Sequence, residues 1–196
     1  MVTTLAVNIV EDAAVSEETL LQLAINHNEP AFSKLYEIYL NRLYRYVRFW
    51  VNSQPEAEDI TQEVFVRAWK SLPNYQQKGV PFVAWLITIA RNLVNDHHRS
   101  RTRKLRKETE MAAAMTLVEE SPVEIAESSI DSQAVRKAIM KLKGDRRKVI
   151  LMHFIEGFDY SEIAGMMKKS EGNVRVIQYR ALSDLKKLID RADKIS

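Results

Sequence analysis

Residues 158–191 leave little freedom in how they can fold. Asp159 is followed three positions later by Glu162, the pairing of a capping box, and Phe158 and Ile163 flank it as a hydrophobic staple. A helix is therefore expected from Tyr160 through Met167. Lys168-Lys169-Ser170 makes a tight turn, and Ser170 can cap a second helix from Glu171 to about Arg191. At about 100° per residue, Val174, Ile177, Ala181, Leu185 and Leu188 fall in one arc and face a core. Two helices joined by so short a turn make a helix-turn-helix. The opposite arc carries Asn173, Arg175, Val176, Tyr179, Arg180, Ser183 and Lys187. Arginine reads guanine bidentately and asparagine reads adenine, whereas Arg180 and Lys187 lie further along, placed for phosphates. A helical hairpin with a merely solvated basic face is the bland alternative. The caps, the short turn and the base-reading side chains together favour duplex DNA, with Lys169, Ser170 and Glu171 at the entrance of the reading helix.

The rest of the chain is built from the same material. Five glycines and five prolines in 196 residues, among many Leu, Ala, Glu, Lys and Arg, point to an all-α protein. Charge is unevenly spread. Residues 91–107 hold seven bases and one acid (+6), residues 108–132 hold seven acids and no base (−7), and residues 133–196 hold fifteen bases and eight acids (+7). Two basic blocks suit a polyanion, and the acidic stretch between them, with Ser121-Pro122 and Ser128-Ser129, reads as a spacer. Two small helical domains on a flexible acidic linker follow: an extension at 1–15, one domain at 16–107, the linker at 108–132 and a second domain at 133–196. In the second domain, helices are expected at Gln133 to Leu142 and at Asp145 to Glu156, with Gly144 and Gly157 as breakers.

In the first domain Ser16 caps a short helix, and a long one follows with Phe32, Tyr36, Tyr39, Leu43, Val47 and Trp50 on one face. Pro55 marks a turn before a third helix from about Glu56 to Leu72. On it Ile60, Val64, Phe65 and Ala68 are apolar, while Asp59, Gln62, Glu63, Val66 and Lys70 lie on the polar side. A valine amid acids suits a protein contact better than a solvated face. A fourth helix starts at Pro81 and runs to about Lys107, burying Phe82, Leu86, Ile89, Ala90 and Leu93. A separate arc holds Trp85, Thr88, Asn92, Asn95 and Arg99, flanked by Arg91 and continued by Arg101 and Arg103. An aromatic, amides and arginines on one stripe suit single-stranded nucleic acid. Trp85 as a core residue is the competing reading.

Other chemistry finds no support. There is no cysteine, hence no disulfide frame and no thiolate metal site. His27, His97, His98 and His153 lack ligand spacing. No Gly-rich phosphate loop or nucleophile motif is present, so no catalytic residue, metal or cofactor is expected. No apolar run reaches the ~18 residues of a membrane span. The start of the chain is acidic where an export signal is basic, so a cytoplasmic protein is expected.

Three stretches resemble the sigma-70 family of RNA polymerase sigma factors, in its extracytoplasmic-function (ECF) subgroup. They are Pro55-Glu56-Ala57-Glu58-Asp59-Ile60-Thr61-Gln62-Glu63-Val64-Phe65-Val66-Arg67-Ala68-Trp69, Phe82-Val83-Ala84-Trp85-Leu86-Ile87-Thr88-Ile89-Ala90-Arg91-Asn92, and Tyr160-Ser161-Glu162-Ile163-Ala164 with Gly172-Asn173-Val174-Arg175 and Tyr179-Arg180-Ala181-Leu182. The resemblance spans about 17–107 and 133–190. It implies a protein without catalysis of its own that binds core RNA polymerase, at the β′ clamp helices and the β flap, and opens promoter DNA. Asp59, Gln62, Glu63 and Val66 would meet the clamp. Asn74, Tyr75 and Lys78 would capture a flipped base of the minus-ten element, and Asn92, Asn95 and Arg99 would hold the single strand. The second domain would read the minus-thirty-five element. An anti-sigma protein that holds the chain inactive is a further implied partner. Asn173 and Ile177 depart from the family pattern, so the minus-thirty-five sequence stays open. A self-standing helix-turn-helix regulator is the alternative, but it would have no use for the single-strand stripe.

Overall fold

The computed structural model describes residues 15–51, 53–76, 81–114 and 130–193. Lys78, most of the N-terminal extension and linker residues 115–129 lie outside the described residues. Every described regular element is helical.

Helix α1 (Glu17–Ile25) is capped by Ser16, whose Oγ accepts from the Thr19 N–H at 3.2 Å, and it buries Leu20, Leu21 and Ala24. Helix α2 (Glu29–Trp50) starts at Asn28, whose Oδ1 accepts from the Ala31 N–H at 2.9 Å. Its buried face is Ala31, Leu35, Tyr39, Leu43, Tyr46 and Val47. Phe32, Tyr36 and Trp50, expected on that face, are only partly buried and pack against the core from its edge. Their rings reach sideways: Phe32 lies 4.8 Å from Trp69 and Tyr36 4.5 Å from Phe65, centroid to centroid. A large ring can cover a core from beside the stripe, so counting aromatics displaced the expected face away from Leu35 and Tyr46.

Helix α3 (Gln54–Ser71) begins earlier than expected. Ser53 is the cap and Pro55 sits inside the first turn rather than in a turn before it. The N–H that proline lacks would be unsatisfied there anyway. The helix buries Ala57, Ile60, Thr61, Val64, Phe65 and Ala68, and the buried Thr61 hydroxyl donates to the Ala57 carbonyl at 2.7 Å. A 3₁₀ turn (Leu72–Asn74) leads out of it. Helix α4 (Phe82–Ala114) runs seven residues past the expected end at Lys107. The charge reverses there, but Ala112-Ala113-Ala114 favour helix and charge reversal alone stops nothing. Its buried positions are Phe82, Val83, Leu86, Ile87, Ala90, Leu93 and Val94, a face rotated slightly from the expected one that included Ile89.

Helix α5 (Ile130–Lys141) precedes α6 (Gly144–Ile150), where Gly144 takes φ +56°. The single helix expected to Glu156 instead becomes a π turn at Leu151–Ile155. There the Glu156 N–H donates five residues back, to Leu151 O at 2.8 Å, and Phe158 N–H donates to Met152 O at 2.9 Å. Apolar residues fill nearly every position from 149 to 155, so no periodicity in the sequence distinguishes a 3.6-residue turn from a wider one. Helices α7 (Tyr160–Met167) and α8 (Glu171–Asp193) complete the chain.

A small core of Ala138, Ile139, Leu142, Ile150, Ala181 and Leu185 joins α5, α6 and α8. The larger core of α1–α4 continues into Val149, Phe158, Ile163, Ala164 and Val174. The two halves of the chain therefore share buried surface, a contact that the picture of two modules on a tether did not contain. Arg42 stands at the junction, with its Nε donating to Glu156 O at 2.6 Å and its guanidinium 4.6 Å above the Phe158 ring. Gly157, at φ +73°, leaves room for it: a Cβ there would lie 3.1 Å from Arg42 Nε.

Candidate nucleic-acid interface

The helix-turn-helix forms as its end signals require. The Glu162 N–H donates to Asp159 Oδ1 and the Asp159 N–H to Glu162 Oε2, each at 2.8 Å. The donated Glu162 N–H, aided by the Ser161 hydroxyl, holds the Asp159 carboxyl below its ordinary range. Lys168 closes α7 in the left-handed conformation at φ 53°, and Ser170 Oγ accepts from the Asn173 N–H at 3.3 Å. Ile163 and Val174 are fully buried, which fixes α8 against α7.

The opposite face of α8 is outward. Asn173, Arg175 and Arg180 are exposed, Val176 is 46% exposed and Tyr179 77%. An apolar side chain presented to water beside arginines fits the methyl group of thymine. Ser170 and Lys169, both expected contacts, already have partners. Ser170 spends its hydroxyl on the cap, and Lys169 pairs with Asp145 Oδ2 at 3.2 Å, which lowers its value as a free phosphate contact. Sequence reasoning missed Tyr160 and Gln178. The Tyr160 hydroxyl donates to Gln178 Oε1 at 2.7 Å, and the Arg175 guanidinium lies 3.9 Å from the Tyr160 ring centroid. The available signal was the tyrosine beside the cap, which the apolar arc of α8 gave no reason to select.

On α4, Thr88, Asn92, Asn95, Arg99 and Arg103 are exposed and Arg101 is half-exposed. The Thr88 hydroxyl donates back to Ala84 O at 2.9 Å, and Arg99 lies 3.7 Å from Asp96. Trp85 is half-buried, 5.0 Å from the Tyr75 ring and 5.4 Å from Phe82, so it belongs to the core edge as well as to the stripe. Tyr75 is half-buried in the same cluster, and Asn74 is exposed on the 3₁₀ turn. The fold thus gathers Tyr75 and Trp85, ten residues apart in sequence, at the start of the stripe.

Arg91 is committed elsewhere than expected. Its Nη2 donates to Glu156 Oε1 at 3.2 Å, across the junction between the halves. A cleft of about 790 Å³ opens there, with Thr88, Arg91 and Asn95 on one wall and Arg147, Lys148 and Met152 on the other. Glu156 is only 7% exposed. Burial pushes its carboxyl above the ordinary range, outweighing the opposing pull of Arg91 and Arg42. A carboxyl raised in the folded state binds its proton more tightly there than in the unfolded chain. Its contribution is therefore full at acid pH and is lost as pH rises through the folded value. Glu156→Gln removes the buried charge and keeps the volume. The thermal midpoint of the variant should exceed that of the parent at pH 7, and the gap should narrow towards pH 4. A variant less stable at pH 7 would show that Arg91 and Arg42 win over burial.

On α3, Asp59 and Gln62 are exposed, while Glu63 pairs with Arg67 at 2.7 Å. Val66 is 45% exposed. It borders an apolar hollow of about 400 Å³ walled by Phe32, Tyr36, Phe65 and Trp69. An exposed valine continuous with such a hollow suits contact with a protein better than contact with a polyanion. Among the described residues there is no cluster of three or more His, Cys, Asp or Glu, and no helix is long and apolar enough to cross a membrane.

Comparison with known proteins places both halves. The model described as Sigma-70 region 2 matches residues 35–104, and that described as Sigma-70, region 4 matches residues 132–185. The ECF RNA polymerase sigma factor BldN of Streptomyces coelicolor is 35% identical over 159 residues, covering 81% of this chain and 60% of BldN. The chain thus spans less than two thirds of that relative's length. The ECF RNA polymerase sigma factor SigX of Bacillus subtilis is 27% identical over 166 residues, covering 81% of this chain and 84% of SigX. In a solved structure, CnrH in complex with the cytosolic domain of CnrY matches with a TM-score of 0.58 at 24% identity, over 89% of this chain and 97% of that one. That last likeness concerns the fold.

Proposed function

This chain belongs to the sigma-70 family, in its ECF subgroup, and we propose that it binds core RNA polymerase, directs it to specific promoters and opens them. Residues 16–107 serve the polymerase and the minus-ten element, 133–196 read the minus-thirty-five element, and 108–132 tether the two. The chain is a transcription initiation factor that works in the cytoplasm and leaves catalysis to the polymerase.

One observation carries this reading. The same chain presents an outward helix-turn-helix face and, on α4, an outward row of Thr88, Asn92, Asn95 and Arg99. A regulator that reads only duplex DNA has no use for the second. Stacking and amide contacts suit separated strands, and flipping a base costs a few kcal/mol. The ring cluster of Tyr75 and Trp85, with Asn74 exposed beside it in sequence, supports a place for such a base, which would lower that cost. Asp59, Gln62, Glu63 and Val66 face the clamp helices of the polymerase, with α8 and its surroundings near the flap. An anti-sigma protein is a further expected partner, as membership of the ECF subgroup implies.

The test is in vitro transcription with bacterial core polymerase on a genomic promoter library, with and without the chain. Chain-dependent start sites with shared elements upstream are expected. Duplex binding by the chain alone, with no chain-dependent transcript, would favour the self-standing regulator. Arg175→Ala should cost about 1–3 kcal/mol in promoter binding and relax preference at one base pair. Equal loss on every sequence would remove Arg175 from base reading.

A further inference from the structure

The Arg175 side chain is long and flexible, yet its guanidinium is seated. It lies 3.9 Å from the centroid of the Tyr160 ring. A guanidinium over a ring face is held by the π-cloud and spends none of its N–H groups on an acceptor oxygen there, so its fork can still donate. Among the described residues it forms an ion pair with Glu171, whose Oε2 is 3.9 Å away on an exposed helix face, too far to consume the fork.

The platform is itself held. The other side of Tyr160 meets the His153 ring, stacked at 4.6 Å between centroids with 23° between planes. His153 is fixed by its Nδ1, 2.9 Å from Phe158 O. The Tyr160 hydroxyl donates to Gln178 Oε1 at 2.7 Å, tying the tip of the ring to the reading helix one turn beyond Arg175. His153 is available because it lies in the π turn, and π turns often mark functional positions. Three elements thus meet on one tyrosine: the π turn behind it, α7 that carries it, and α8 in front.

We propose that Tyr160 is a positioning residue for base recognition: it holds the Arg175 fork in one plane, so that the fork meets the paired acceptors of a guanine edge without first losing rotamer freedom. The proposal rests on α8 being the duplex-reading helix. Guanine O6 and N7 match the fork bidentately, and a pre-set plane penalises the edges that lack the pair. Discrimination should therefore depend on the ring, and only weakly on the hydroxyl.

The experiment uses holoenzyme, formed from the full chain and core polymerase, on promoters randomised across the minus-thirty-five element. Base preference is read at each position. Tyr160→Leu removes the platform. It should cut preference about tenfold at the one position that Arg175→Ala also affects, an energy step within that of one bidentate contact. Preference elsewhere should not change. Tyr160→Phe keeps the ring and should retain that preference to within about threefold. Thermal unfolding of each variant checks folding. Equal loss at all positions in Tyr160→Leu, with a lowered thermal midpoint, would make Tyr160 a structural residue only and overturn the proposal. An unchanged profile in Tyr160→Leu, with Arg175→Ala still selective, would also overturn it, because Arg175 then needs no platform. If Arg175→Ala itself leaves the profile unchanged, the base-reading role of Arg175 fails, and the proposal falls with it.

Discussion

Val66→Asp should weaken the proposed binding to core RNA polymerase by about 3 kcal/mol, roughly a hundredfold, while the chain itself stays folded. An unpaired charge carried into an apolar contact costs about 2–5 kcal/mol, and each 1.4 kcal/mol is about tenfold. Val66 is 45% exposed in the free chain, so aspartate there stays hydrated and the fold barely notices. Arg67 is already paired with Glu63, and Lys70, one turn on and exposed at the rim of the hollow, offers the new carboxylate only a solvent-screened partner. The measurement is titration of labelled chain with core polymerase, beside the thermal midpoint of the free variant. Unchanged affinity with an unchanged midpoint would take the contact face off α3.

Leu86→Ala should lower the stability of the chain by about 2–5 kcal/mol. Leu86 is 1% exposed and sits in the middle of the face by which α4 packs on the core, so truncation leaves a cavity that rigid neighbours cannot fill. Thr88, Asn92 and Asn95 ride on the same helix, and their register depends on that face being seated. Denaturant unfolding should show the loss directly. Because the large core continues into Val149, Phe158 and Ile163, the C-terminal half should lose stability with it. A cost under about 1 kcal/mol would mean that α4 is held mainly by its neighbours.

Different parts of this molecule were legible to different degrees. The two helices of the helix-turn-helix and the turn between them were legible, because caps and staples act over three or four residues and need no distant partner. Ser16, Asp159, Glu162 and Ser170 all occupy the cap positions that their types predict. Elements whose ends depend on weak propensities were less so. Helix α4 outran its expected end, and Pro55 proved to be inside α3. The π turn was not legible at all, since a run apolar at nearly every position looks alike at either period.

Candidate site residues followed the same rule. That Asn92, Asn95 and Arg99 face outward follows from angles along one helix. That Arg91 is held by Glu156, that Lys169 is held by Asp145, and that Tyr160 carries Arg175 does not, because each pair joins residues from separate elements. Local chemistry in the chain was enough to settle which segments are helical, where most of them start, and which faces look outward. Only the packing of one helix on another decided that the two halves share a core and that Glu156 is buried between two arginines. Those outcomes depend on distances across the fold, which no periodicity along the chain encodes.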